Sequence, residues 1–478
     1  MHQTTFKVLS HACLLVKRKG VGLIIDPWLI GSCYWRSWWN YPEPDIHEEE
    51  LQCVTHVLIS HIHWDHWHGK SLKKYFKGRE FLITDEPKTR SHDDLIRLRL
   101  GFVSRMYHGK TILLDEDFKV TVYQFGLFQN DSAIVIETPE VKLLNANDTK
   151  IAGLPLKQII KRHQNFDFAF RSHSSANFRA CIQVLDDKDQ YRDDNEHYAR
   201  SFKLFMDAVK PTYAVPFASN HCHLHQDTFH FNRIITNPIK LNEWLLHHDG
   251  LHVSQLKIML PGSSWHSQHG FDLKDLSPFQ DLEQKLLAYQ QKNALILEDY
   301  YQLEANQTIN ASMMNKHETH LKAIPWLFRK MLGQSTFAYK IINHGNHHTF
   351  FHVDYIQCKL IEIDEHTYQQ ANINIEWPVI VFKQAVTLNM YAHAFISKRV
   401  KFYVKQKKQF KSLTRYIGYL EKIEHEFFPL RYAFLKKFAL NYCVRWREVV
   451  LYFLVLKEML IQRKPLAIIE EIILSKSK

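Results

Sequence analysis

The chain has 478 residues, 45% of them hydrophobic and 13% aromatic; this excludes a disordered protein and exceeds one ordinary core, so two domains are expected. Seven cysteines, odd in number and without a Cys-x-x-Cys pair, speak against a disulfide framework and against a cysteine-built zinc ribbon. The net charge is +11, yet residues 396–478 alone hold 19 Lys and Arg against 7 Asp and Glu. The basic surplus is therefore confined to the C-terminal end.

In chain order, "MHQTTFKVLSHACLLVK" lacks the basic segment, apolar stretch and cleavage site of a signal peptide, and a cytoplasmic location is expected. "GVGLIIDPWL" and "THVLISH" are apolar runs of strand length that stop at polar residues. "REFLITD", "FKVTVYQFG", "SAIVIET" and "VKLLNAND" predict further strands, "NEHYARSFKLFMDAVK" an amphipathic helix, and "PTYAVPFAS" a strand after it. "LKIMLPGSSW" reads as one more strand closed by a Pro-Gly turn. Strands with interspersed helices predict a layered α/β core.

Beyond about residue 270 the texture changes, which places a boundary between a domain over 1–270 and a second over 271–478. "SPFQDLEQKLLAYQQKNALILEDYYQLEAN" is helical in period, "TFFHVDYIQCKLIEIDEH" alternates as strands do, and from "NIEWPVIVF" onward the chain reads as mainly helical and basic. "VVLYFLVL", eight apolar residues, is too short for the ~30 Å of a bilayer core. The basic end suits an anionic small substrate or a lipid headgroup surface; nucleic acid is not indicated, and oligomeric state is left open.

The stretch that carries chemistry is "HVLISHIHWDHWHGK", residues 56–70. The chain has 31 histidines, so a His-x-His pair alone is weak evidence, and "NHGNHHTFFH" at 343–352 is read as a loop. The first cluster differs because it ends a buried strand, where sites in α/β sheets gather. His61, His63, Asp65 and His66 offer three imidazoles and a carboxylate within six residues, a donor set for zinc, iron or manganese.

The spacing His-x-His-x-Asp-His resembles the metal-binding signature of the metallo-β-lactamase superfamily. The resemblance implies a four-layer αββα fold, followed here by a mainly helical α+β domain. It places His61 and His63 on one metal ion and Asp65 and His66 on a second. Asp26 of "IIDPWL" would support the ligands from behind, Asp148 of "LLNANDT" would bridge the metals, and His225 of "VPFASNHCHLH" would be the last ligand, with His221 and His223 as competitors. "IDPWLIGSCYWRSWWNYPEP" is, more narrowly, similar to the corresponding module of CMP-N-acetylneuraminate hydroxylases, over roughly residues 6–265. Those hydroxylases also carry a Rieske cluster; this sequence has no Cys-x-His half-motif, so no such cluster is expected, and any oxidation would draw electrons from another protein.

The family's third histidine on the first metal is missing. Its turn is "YQFGLFQND", with Leu127 at that place; Gln129, Asp131 or His173 could stand in. The cofactor is thus one or two divalent transition-metal ions, zinc first, iron or manganese otherwise. The leading expectation is a hydrolase of an ester or phosphodiester, with metal-activated water as nucleophile, Asp65 orienting it, and His68 or His223 protonating the leaving group. The alternatives are a non-haem iron hydroxylase of a nucleotide sugar or similar metabolite and a non-catalytic scaffold that docks on membranes or polyanions. Arg171 and His173 are candidates to meet an anionic substrate. The aromatic run "YWRSWWNY" would line its entrance or pack the core.

Overall fold

The computed structural model describes residues 3–127, 131–174, 178–186, 195–343, 348–461 and 473–474. Two twisted sheets face each other in the first part of the chain. In the first, the order is Gly270–Asp272, Ser264–His266, Thr4–Val8, Leu14–Arg18, Val21–Ile25, His56–Ile59, Glu80–Thr84 and Val103–Met106. The last three strands run parallel to Val21–Ile25 and to one another. The second sheet runs Gln255–Leu256, Tyr213–Pro216, Phe168–Arg171, Lys142–Asn147, Asp131–Glu137, Phe118–Phe125 and Thr111–Asp115.

Strand alternation sorts the side chains into layers. Phe6, Val16, Leu23 and Leu58 of the first sheet meet Val120, Ile134, Leu143 and Phe168 of the second in one buried cluster. Val57 and Ile59, the neighbours of Leu58, point the other way and pack under Leu51, Leu72 and Leu95 of three helices. On the far side Val135 and Leu144 meet Leu156, Phe202 and Leu241 of three more. Helix, sheet, sheet, helix is the four-layer αββα order expected from the sequence.

A six-stranded sheet follows, ordered Ile182–Val184, Lys401–Val404, Ile373–Pro378, Phe337–Ile342, His348–Asp354 and Lys359–Ile363. It is packed by the helices Ala311–Ala323, Val379–Leu388 and Phe410–Glu424. Its first strand comes from the N-terminal half, and its core is continuous with Trp28 and with Tyr34, Trp35 and Trp38 of the aromatic run. Three segments depart from the sequence reading. The cluster at 343–352, read as a loop, enters the strand His348–Asp354, which pairs with Phe337–Ile342; residues 344–347 lie outside the described residues. "NIEW" is a strand, because Ile373 and Ile375 lie between two partner strands, a pairing no local period shows. "LKIMLPGSSW" is not one strand: pairing stops at Leu256 and resumes at Ser264–His266, which belongs to the other sheet.

Candidate metal centre

Strand His56–Ile59 lies between two parallel neighbours, and the chain leaves it at Ser60 beside the end of Val21–Ile25. There Asp26 takes a left-handed conformation, φ 49°, and its carboxylate turns inward. It accepts hydrogen bonds from Ser60 N at 2.8 Å and Ser60 Oγ at 2.6 Å, and lies 2.8 Å from His66 Nδ1. Since the carboxylate only accepts, His66 carries a proton on Nδ1; against its burial, the Asp65 and Asp26 charges and the contact with Asp148 raise its pKa, so Nε2 is protonated toward Asp148 and would ligate once a metal displaces that proton. The same logic passes through Ser60: its hydroxyl donates to Asp26 and so accepts from His61 Nδ1, 2.8 Å away. His61 Nε2 is thereby a lone pair, 3.0 Å from His63 Nδ1.

Two groups of converging ligand atoms result, and they share His66. One comprises His61, His66 and Asp148, the other His11, Asp65 and His66. His66 Nε2 is 3.1 Å from Asp148 Oδ2 and 3.5 Å from Asp65 Oδ2. Asp65 Oδ2 lies 3.2 Å from His11 Nε2, while Oδ1 accepts the Tyr34 hydroxyl at 2.5 Å. Burial, then the neighbouring His66 and His63, push the His61 pKa well down, so its ring is neutral, as a ligand must be. Burial alone would raise Asp65 and Asp148, but His66 beside both holds each below the usual carboxylate value.

His11 was missed in the sequence. It sits in the turn between Thr4–Val8 and Leu14–Arg18, and its only signal was a histidine directly after the first strand. His221 adjoins it, ring centroids 5.5 Å apart, and lies flat on Trp38 at 3.8 Å. Both ring nitrogens of His221 and of His173 are buried without a hydrogen-bond partner among the described residues. Burial and then His11 lower both pKa values, that of His173 to about 3. Buried imidazoles with unpaired nitrogens next to a His–Asp cluster are what a missing ion would satisfy, so the residues present fit divalent metal.

His225 is not brought to the cluster. Strand His221–His223 pairs with Trp38–Asn40, which turns His221 and His223 toward Trp38; His225 lies past the strand end. Its Nε2 is 3.3 Å from Glu304 and its Nδ1 accepts Asp227 N–H at 3.1 Å. Arg171 also faces away, donating to Thr149 O and Ser201 Oγ and lying 4.3 Å over the Phe205 ring. His68 caps the helix Gly69–Tyr75 by accepting Ser71 N–H. Burial lowers its pKa to about 4, which prepares it poorly as an acid.

At the place of the missing histidine, Leu127 is 43% exposed and Gln129 lies outside the described residues. Asp131 has a buried Oδ1 with no hydrogen-bond partner among the described residues, and burial together with the Asp148 charge pushes its pKa up to about 7. It is the carboxylate available there.

The C-terminal region closes over this centre. His393 Nδ1 is paired with Glu424 Oε1, its Nε2 lies 3.3 Å from Ile62 O between the two ligand histidines, and its ring is 5.6 Å from His63. Beside the centre a cavity of about 510 Å³ is walled by Tyr34, Trp35, Trp64 and Trp67, with Arg36, Lys70 and Lys73 among its lining residues.

Residues 5–177 match the model of the beta-lactamase superfamily domain. Cytidine monophosphate-N-acetylneuraminic acid hydroxylase of Xenopus laevis is 30% identical over 146 residues, 29% of this chain and 25% of the relative. The inactive hydroxylase of Homo sapiens is 40% identical over 158 residues, 31% of this chain and 32% of the relative. This chain thus spans about a quarter to a third of the length of these curated relatives. Among solved structures, Igni18, a metallo hydrolase from Ignicoccus hospitalis, is similar with a TM-score of 0.36 and 16% identity, over 57% of this chain and 100% of that one. The match over residues 5–177 and the four layers, which run on to Asp272, give the first part of this chain the metallo-β-lactamase fold.

Proposed function

We propose that the chain is a metal-dependent hydroxylase of a small anionic metabolite that carries a ring, a nucleotide sugar being the first substrate class to test. The observation that carries this is the donor set: each of the two groups of converging atoms is two imidazoles and one carboxylate, the combination that suits non-haem iron with open positions. Asp131, a carboxylate where an imidazole is the rule, shifts the set further toward oxygen donors. The printed function of the curated relatives points the same way.

Bound there, a redox-active ion would supply the activation of dioxygen. The residues do the rest. Asp26 fixes the tautomers of His66 and, through Ser60, of His61. Tyr34 holds Asp65 by one oxygen. Arg36, Lys70 and Lys73 bind the anionic group, and Trp35, Trp64 and Trp67 offer faces on which a ring stacks while water is kept out. One oxygen atom of dioxygen would enter a C–H bond and the other would leave as water, which requires two electrons from an external electron-carrier protein and two protons from solvent.

A hydrolase is the second reading, favoured by the number of imidazoles that burial keeps neutral (His61, His63, His173, His221), a set that also suits zinc. Metal analysis of protein purified without added metal, with oxygen uptake and ester or phosphodiester cleavage measured on the same sample, separates them. Iron with reductant-dependent oxygen uptake is expected. Zinc alone, with cleavage that proceeds without oxygen, would overturn the hydroxylase reading.

A further inference from the structure

The last two described helices, Tyr432–Val444 and Trp446–Ile461, form a pair whose outer face is apolar. In the second of them the inner side is committed: Glu448 accepts the Gly126 N–H at 2.8 Å, and Leu451 is buried against the start of helix Gly153–His163. The opposite side carries Trp446, Val450, Phe453 and Leu460, spaced at helical period. Phe453 is 68% and Leu460 70% exposed. In the first helix Tyr432 and Leu440 are exposed as well. A soluble helix normally turns such residues inward; here both faces are apolar, and among the described residues nothing covers the outer one.

The charges around it are predominantly cationic. Arg431, Lys436, Lys437 and Lys457 are exposed, and Arg447 lays its guanidinium 4.5 Å over the Trp446 ring. A recess of about 670 Å³ opens beside the first helix, with Lys322, Arg431 and Lys437 among its lining residues, together with Glu426; Glu426 is already engaged by the backbone N–H groups of Thr89 and Arg90.

We propose that this face docks the protein on an anionic membrane surface, with the apolar residues in the headgroup–acyl boundary and the cations on lipid phosphates. Charge complementarity selects that occupant. A second copy of the chain would bring the same cations against these across a twofold axis, whereas an anionic leaflet attracts each of them. Spanning is not the mode: no described helix is long and apolar enough. At 1.5 Å per residue the second helix is about 24 Å long, and it is pinned along its inner side, so it lies flat, as interfacial helices do. The proposal is independent of the reaction at the metal centre.

Flotation of the full-length protein with vesicles tests it. Binding is expected to phosphatidylcholine vesicles containing phosphatidylserine and not to phosphatidylcholine alone, and it should fall steeply as salt rises from about 0.05 M to about 0.5 M. Phe453→Glu should lower the partition coefficient about tenfold. Lys436→Gln and Lys437→Gln should each lower it about fivefold; these exposed positions serve if the Phe453 variant does not fold. Failure to float with either vesicle, flotation that ignores lipid charge and salt, or a dimer in sedimentation that Phe453→Glu dissolves without changing flotation would each overturn the proposal.

Discussion

The two parts of the molecule hold the same loop, residues 60–66, in different ways. From the sandwich, Asp26 reaches the ligands themselves: it fixes the proton on His66 and, through Ser60, on His61. From the C-terminal region, His393, paired with Glu424, reaches the Ile62 carbonyl between His61 and His63 and lays its ring 5.6 Å from that of His63. The first contact decides which nitrogens can bind metal. The second decides where the loop runs and closes the centre from solvent. The comparison teaches that the donor chemistry is internal to the sandwich, while the precision of its placement is shared with a region that has no motif of its own.

Breaking the internal contact should have the largest effect. Asp26→Ala leaves His66 and the Ser60 amide and hydroxyl without a buried acceptor; a loss of about 3 kcal/mol in denaturant unfolding and loss of bound metal by elemental analysis are expected. Breaking the external contact should cost less in both fold stability and metal affinity. Glu424→Ala should weaken metal binding about 10- to 100-fold, read by chelator competition, with the thermal transition lowered but cooperative. Retention of full metal affinity would show that the loop holds its path without the C-terminal region.

The ligand set itself is sharpened by a pair of variants. His221→Ala should lower the metal content while His225→Ala leaves it unchanged, because only His221 adjoins His11 and Trp38 and has unpaired ring nitrogens. Equal losses from both would return His225 to the centre.

The smallest effect is expected far from the loop. At the sheet edge, hydrogen bonds from Arg18 and Thr4 hold the Glu140 pKa down to about 2 despite its partial burial. Glu140→Gln should cost about 1 kcal/mol at neutral pH. A depressed carboxylate stabilises the fold above its unfolded value of about 4.5. The difference between wild type and variant should therefore shrink as pH falls from there through about 2, measured by denaturant titration.

The strand-ending cluster at 61–66 was legible because its signal is local: an apolar run of period two, then donors within six residues. Asp26 and Asp148 were legible only through the family resemblance, which places an aspartate just past each of these two strands. His11 was not, since one histidine after a first strand resembles any other among 31. His225 was preferred to His221 because spacing alone does not reveal that the strand 221–223 pairs with 38–40 and ends before residue 225. Arg171, read as a candidate to meet an anionic substrate, is instead buried beneath the helix Asn195–Val209.

The sequence by itself determined the layers, the metal-type donors at the strand ends and the basic C-terminal end, because alternation, turn residues and charge are properties of neighbours in the chain. Only the tertiary structure decided which imidazoles converge, that Glu424 and His393 brace the loop, and that the apolar side of helix Trp446–Ile461 faces outward. Those depend on which strand pairs with which and on what covers each face. Such contacts join residues hundreds of positions apart, and no local pattern encodes them.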